Sequence, residues 1–197
     1  MISAIVLSAG ASFRMGSPKG LLTIGGKTFL RYIVDEILSA GIHDIVIVLG
    51  AESEKIQRSL HWFHGTIVVN QNWKDGQLSS IIAGLNSIQL ETCDGLLVCP
   101  VDHPLISRNL LSQLFQAFQE NTSKIIVPVY QSHRGHPMIF PSRFFDEIKN
   151  ASLDVGAREV VRNHPNDIVE MMTEENGVVI NIDTLSDYDR HILKNNQ

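Results

Sequence analysis

Cysteine, positive charge and long apolar runs are all scarce in this chain. It has two cysteines, Cys93 and Cys99, in 197 residues. Cys99 ends an apolar stretch, where a buried thiol is the ordinary outcome, so we expect a cytoplasmic protein without disulfides. Lysine and arginine number 16 against 21 acidic residues, a formal charge of −5. A general nucleic-acid binder carries a basic face, so none is expected as a partner, and any phosphate binding has to come from local cations. No apolar run approaches the ~20 residues that span a bilayer, and the opening Met1-Ile-Ser-Ala-Ile-Val-Leu lacks the basic stretch of a signal peptide. No membrane contact is expected. Repeats, linkers and low-complexity tracts are absent, and the length suits one domain over 1–197. Two phosphate-binding signatures are missing as well. Gly10 and Gly16 are separated by five residues, not four, and Lys19 is not followed by Ser or Thr, which excludes the ATPase P-loop. No Gly-x-Gly-x-x-Gly occurs, which excludes the dinucleotide fingerprint. The eight histidines have no cysteine partners at zinc spacing.

The stretch Ile5 to Leu22 remains, with 44% of the chain hydrophobic and 19% charged to build a core around it. Ala4 to Leu7 is a short apolar run that predicts a buried strand. Ser8 to Ser12 follow as a loop of small residues. Gly10 permits backbone angles closed to other residues and lets a ligand come close. Such a loop turns several N–H groups one way, toward phosphate oxygens. Arg14 and Lys19 come next: arginine clamps two oxygens, lysine acts as a mobile point charge.

The rest alternates. Thr28 caps a predicted helix with Phe29, Leu30, Ile33, Val34, Ile37 and Leu38 at helical spacing and Gly41 at its end. Strands are expected at 44–50, 66–70, 95–100, 124–129, 168–172 and 178–182. Helices are expected at 52–60, after Ser107 and at 141–149. Continuous apolar strands between helices predict an α/β fold: a doubly wound, mostly parallel sheet with helices on both faces, Rossmann-like, binding ligands at the carboxyl ends of the strands. Asp102 stands just past the strand that ends in Pro100, well placed for Mg²⁺, which takes hard oxygens; a turn aspartate bonding its own backbone is the alternative. Asp183 repeats that placement before a helix capped by Thr184, with capping by Asp183 itself as the alternative. Asn70 to Ser80 is a polar loop running into a helix start, offering N–H groups and hydroxyls to a ligand or simply capping the helix.

The pattern Leu-Ser-Ala-Gly-x-Ser-x-Arg-Met-Gly-x-x-Lys resembles the signature loop of nucleotidyltransferases that activate metabolites with a nucleoside triphosphate, and most of all the molybdenum cofactor cytidylyltransferases. The resemblance runs from Ile5 to Asp187. It implies a nucleotide site made of Leu7, Ser8, Ala9, Gly10, Ala11, Ser12, Arg14, Lys19, Asn72, Ser79, Ser80 and Pro100. Arg14, Lys19 and Asp102 would be catalytic, with Mg²⁺ held by Asp102 and Asp183. Arg134-Gly-His136-Pro and Asp154-x-Gly-Ala-Arg158 are family-like motifs on the acceptor side. His136 is there either a ligand contact or a structural histidine, and Arg158 either meets an acceptor phosphate or is a solvated charge. The related guanylyltransferases carry Gly-Gly where this chain has Ala9-Gly10, which favours CTP over GTP. His103 departs from the usual Gln between the Asp and Pro of the metal motif. The implied acceptor is the molybdenum-pterin cofactor and the implied recipient of the product a molybdenum hydroxylase. Two other readings stay open: transfer to a sugar or alcohol phosphate, or a cofactor-handing chaperone without catalysis.

Overall fold

The computed structural model describes residues 1–194; the last three positions of the domain expected over 1–197 lie outside the described residues. The opening apolar run forms strand β1 (Ile2–Ser8), buried throughout. Side chains alternate across a strand, so Ala4 and Val6 enter one core layer and Ile5 and Leu7 the other. A small antiparallel hairpin, β2 (Thr23–Ile24) and β3 (Lys27–Thr28), leads into helix α1 (Phe29–Ser39). The Thr28 hydroxyl accepts from the Arg31 amide at 3.2 Å, a cap that contributes about 1 kcal/mol. Strands β4 (Asp44–Leu49) and β5 (Thr66–Val69) pair in parallel outward from β1. Between them α2 (Ser53–Gln57) is shorter than the expected 52–60, because Glu52 turns through a left-handed φ of 51° before the helix can begin.

Helix α3 (Gln77–Leu85) and strand β6 (Gly95–Pro100) follow, and β6 pairs in parallel with the other side of β1. Ser107 caps α4 (Arg108–Glu120), accepting from the Leu110 amide at 3.0 Å. Then come β7 (Ile125–Tyr130), β8 (His133–Arg134) and β9 (Met138–Pro141). They are followed by α5 (Phe145–Asn150), α6 (Arg158–Asn163), β10 (Ile168–Met172) and α7 (Leu185–Tyr188). The sheet order is β10-β7-β9-β6-β1-β4-β5, with β8 paired to β7. β9 runs against both β6 and β7 and the long strands are otherwise parallel, so the doubly wound, mostly parallel sheet is what the chain forms. α1 and α4 cover one face; α3, α5 and α6 cover the other.

Two further expected elements differ. Pro141 closes β9, and a tight turn at Ser142–Phe144 delays α5 to Phe145. No strand forms at 178–182: Asn176–Val179 is a 3-10 turn. Its backbone groups go to separate loops instead of one ladder. The Val178 carbonyl accepts from the His136 amide at 2.8 Å, and the Ile182 amide donates to the Asp102 carbonyl at 2.8 Å. The order of the sheet reverses between β1 and β6, and a crevice opens there at the carboxyl ends. Among the described residues no helix is long and apolar enough to cross a membrane.

Candidate functional site

The loop after β1 lies over that crevice. It folds round a 3-10 turn, Phe13–Met15, with Ser12 at φ 51° and Gly16 at φ 66°. Gly10 is not in the left-handed region, which corrects the expectation drawn from its residue type; Ser12 takes that conformation instead, at about 1–2 kcal/mol. Ser12 is held there from two sides. Its carbonyl accepts from the Met15 amide at 2.9 Å and its hydroxyl from the Lys19 amide at 3.2 Å. Gly10 does provide room: no heavy atom lies within 4 Å of where its Cβ would stand. Beneath the loop, the Ala51 amide donates to the Ala9 carbonyl at 3.0 Å. A Cβ on Gly50 would stand 2.6 Å from that carbonyl oxygen and from Trp73 Cβ. The end of β4 therefore has to be glycine for loop and Trp73 to close on it.

Asp102 and Asp183, eighty-one positions apart, are brought together by the backbone bond from Ile182 to Asp102. Thr184 and Asp187 cap α7 reciprocally, which leaves the Asp183 carboxylate free of the capping role and turned to the cations. Lys19 Nζ donates to Asp102 Oδ2 at 3.1 Å and also to Asp183 Oδ1. Arg14 Nη2 lies 3.2 Å from Asp183 Oδ2, which also accepts from Asn181 Nδ2 at 3.3 Å. Burial opposes charge on Asp183, but the hydrogen bond and charge of Lys19, with the charge of Arg14, outweigh it and hold the carboxyl below the usual aspartate range. Two converging carboxylates are the hard-oxygen donors a divalent cation uses when substrate phosphates and water complete its shell. The chemistry of the donor set fits such an ion. Among the described residues no group of three or more His, Cys, Asp and Glu could hold one without that help.

These groups sit in a cleft of about 530 Å³, within the range of small-molecule sites. Its walls include Leu7, Ser8, Ala9, Gly10, Ala11, Ser12, Arg14, Lys19, Ser80, Pro100, Asp102 and Asp183, so most of the expected residues are gathered in one place. Asn72 and Ser79 are not among them. The Ser79 hydroxyl lies 2.8 Å from the Gly76 carbonyl and 2.9 Å from that of Asn72, and it accepts from Asn70. It is engaged in holding the turn into α3. Asn70 was not singled out from the sequence, although a polar residue closing an apolar strand marks it. Buried at the end of β5, it donates to Ser79 and Ser80 at 2.9 and 3.0 Å and accepts from the Asn72 amide at 2.9 Å. Phe13, Lys74 and Gln77 also line the cleft, and Phe13 is 88% exposed. Nothing local in the sequence distinguishes them from surface residues.

A second cleft of about 290 Å³ adjoins the first through Gly76 and Gln77. Leu78, Ile81, Val98, Met138, Phe140 and Val161 make its walls apolar, and His136, Asp154 and Arg158 supply polar groups. The His136 ring meets that of His103 at 4.9 Å between centroids. The Nδ1 atoms of both are buried, with no hydrogen-bond partner among the described residues. Burial lowers the pKa of His103 against the opposing charge of Asp102. Burial, with the charge of His103 and Arg158, brings His136 down to about 4. Both rings are therefore neutral at pH 7.

The chain is 30% identical over 187 residues to a nicotine blue oxidoreductase of Paenarthrobacter nicotinovorans, covering 89% of this chain and 90% of that one. It is 31% identical over 121 residues to a molybdenum cofactor guanylyltransferase of Neisseria meningitidis, 60% of each chain. The fold matches that of Rv0371c from Mycobacterium tuberculosis, solved in complex with manganese, with a TM-score of 0.82 at 23% identity over 98% of both chains. The MobA-like NTP transferase domain matches residues 4–168, the span that carries the loop after β1, Asp102 and most of both clefts. With that match the chain belongs to the MobA-like nucleotidyltransferases.

Proposed function

We propose that this nucleotidyltransferase moves a cytidylyl group from CTP to the phosphate of the molybdenum-pterin cofactor, with Mg²⁺ as its metal, and releases pyrophosphate. The observation that supports this most is the meeting of Arg14, Lys19, Asp102 and Asp183 in one cleft beside an open backbone loop. The amides of Ala9 to Ser12 and the Arg14 guanidinium would hold the β- and γ-phosphates. Lys19 would meet charge growing on the α-phosphate. Asp102 and Asp183 would hold Mg²⁺, which would supply positive charge to offset that of the triphosphate. The start of α3 has no side-chain cap. Its first amides, with Ser80, are left for the base or ribose. The second cleft would take the acceptor, with Arg158 on its phosphate. One oxygen of that phosphate forms a bond to the α-phosphorus as the bond from that phosphorus to the bridging oxygen breaks, and pyrophosphate leaves. A phosphate nucleophile is ionised at neutral pH, so positioning and electrostatics suffice and no general base is needed. The product would pass to a molybdenum hydroxylase in the cytoplasm.

CTP is favoured by Ala9 where the resembling guanylyltransferases carry glycine; the guanylyltransferase among the relatives is the argument for GTP. The test is pyrophosphate release by the purified protein with Mg²⁺, each nucleoside triphosphate and molybdenum cofactor. Release with CTP alone, dependent on acceptor, is the expected result. Release with GTP would move the base preference. Release only with a sugar or alcohol phosphate would change the acceptor, and tight binding with no release would favour the chaperone. An Asp102→Ala protein that still releases pyrophosphate would sink the mechanism. One observation favours a redox reading: the relative matched over nearly the whole chain is named an oxidoreductase. Oxidation of a reduced nicotinamide by the same preparation, without pyrophosphate release, would turn the assignment that way.

A further inference from the structure

Lys19 is the most enclosed of the four paired charges in the first cleft, with 13% of its side chain exposed against 27% for Asp102, 32% for Asp183 and 67% for Arg14. Its ammonium bonds Asp102 Oδ2 and Asp183 Oδ1 together. The second oxygen of Asp183 faces Arg14 and Asn181. The two carboxylates thus already have a cation between them, and both oxygens of Asp183 are engaged. A divalent ion that used Asp183 would have to displace Lys19 or Arg14, or share their carboxylates at close range, where like charges repel.

Resting on the reading of Asp102 and Asp183 as metal ligands, we infer that Lys19 is an internal counter-ion that keeps metal off the carboxylate pair until a triphosphate draws the ammonium away. The same lysine then serves two partners in turn: carboxylates in the free protein and phosphate in the complex. Without nucleotide the pair is neutralised, and two protein carboxylates alone leave most of a metal's shell unfilled. With nucleotide, the phosphates give Lys19 and Arg14 a stronger anion, release the carboxylates, and supply the missing oxygens. Metal and nucleotide binding are therefore coupled, and by linkage each raises the affinity of the other by the same factor. The arrangement also protects the free enzyme from holding a stray divalent ion in its phosphate site.

The test titrates Mn²⁺ into nucleotide-free protein and reads unbound Mn²⁺ by its electron spin resonance signal. Lys19→Gln should bind Mn²⁺ at least about tenfold more tightly than the unmodified protein, the change that 1.4 kcal/mol makes. Arg14→Gln, which frees one oxygen of Asp183 from its guanidinium, should bind roughly threefold more tightly, as an exposed pair contributes about 0.2–1 kcal/mol. Equal or weaker binding by Lys19→Gln overturns the inference. Should that variant lose its cooperative melting, Arg14→Gln carries the test, and an unchanged affinity there overturns it. Asp102→Asn separates the inference from the reading beneath it. Metal binding that persists undiminished in Asp102→Asn, or is absent from every protein, overturns both. Binding that needs Asp102 but ignores Lys19 overturns the counter-ion alone.

Discussion

Two carboxylates at opposite ends of the same sheet are each held by two cations. Asp183, at the carboxyl end, has Lys19 and Arg14. Asp167, just before β10 at the amino end, has Lys124 at 2.8 Å and Arg143 at 2.9 Å. The partners of Asp167 are spoken for by the surrounding backbone: Lys124 also donates to the Asn166 carbonyl and Arg143 to that of Ser123. That cluster ties the starts of β7 and β10 to the turn after β9, and neither cleft includes it. The partners of Asp183 line a cleft, and the second partner of the Lys19 ammonium is another carboxylate of that cleft, Asp102. The same pairing therefore ties backbone segments together at one end and gathers charge around a cleft at the other. The chemistry of the side chains does not distinguish the two; what surrounds them does.

The contrast can be broken most strongly at Asp102. Asp102→Asn should lower pyrophosphate release about a thousandfold, since metal-borne charge stabilisation is worth several kcal/mol, with melting almost unchanged. Lys19→Gln should lose roughly a hundredfold to a thousandfold in turnover, the cost of removing one positioned donor to developing charge, even as its Mn²⁺ affinity rises. Steady-state kinetics on Arg158→Gln should show KM for the acceptor raised about tenfold, in line with one lost hydrogen bond to a charged group, and KM for the nucleotide unchanged.

Asp167→Asn, the counterpart at the other end, should leave turnover intact and lower the melting temperature slightly. The pH dependence of that loss sharpens the comparison. The Lys124 hydrogen bond, against burial and together with Arg143, holds the Asp167 carboxyl below its ordinary 3.8. A depressed folded-state pKa gives stability that is present above the ordinary value and is lost as pH falls through the lower one. The unmodified protein should therefore melt above Asp167→Asn at neutral pH and lose that advantage below about pH 3.8, the ordinary value. An advantage that persisted at pH 2 would show that the pair acts through shape and not through charge.

Much of this molecule is readable along the chain, in uneven measure. β1 and β4 were legible because strands covered on both faces are unbroken apolar runs. α1 and α4 were legible because their apolar faces recur at helical spacing behind Thr28 and Ser107. The 178–182 segment was not: its residues are apolar enough for a strand, but its backbone groups are claimed by His136 and Asp102. A Cβ at Gly177 would stand 1.9 Å from the Leu105 carbonyl oxygen, so the segment lies directly against that loop. Gly10 and Ser12 show the same limit on a smaller scale. Residue type made Gly10 the natural owner of unusual angles, yet the bonds to Met15 and Lys19 put them on Ser12. Ser79 was legible only as a choice between cap and contact, and it caps no amide: its hydroxyl is bonded to the Gly76 and Asn72 carbonyls, which holds the turn into α3.

The sequence by itself determined the alternation of strand and helix, the small-residue loop with its two cations, and the carboxylates at the ends of two apolar runs. These are local properties, set by periodicity and residue chemistry. Only the tertiary structure decided that Asp102 and Asp183 share one lysine, that Asn70 organises the start of α3, and that His103 lies against His136. The first and the last depend on segments tens of residues apart, and Asn70 reaches Ser79 and Ser80 across nine and ten positions; the bonds and packing that join them are encoded by no spacing along the chain.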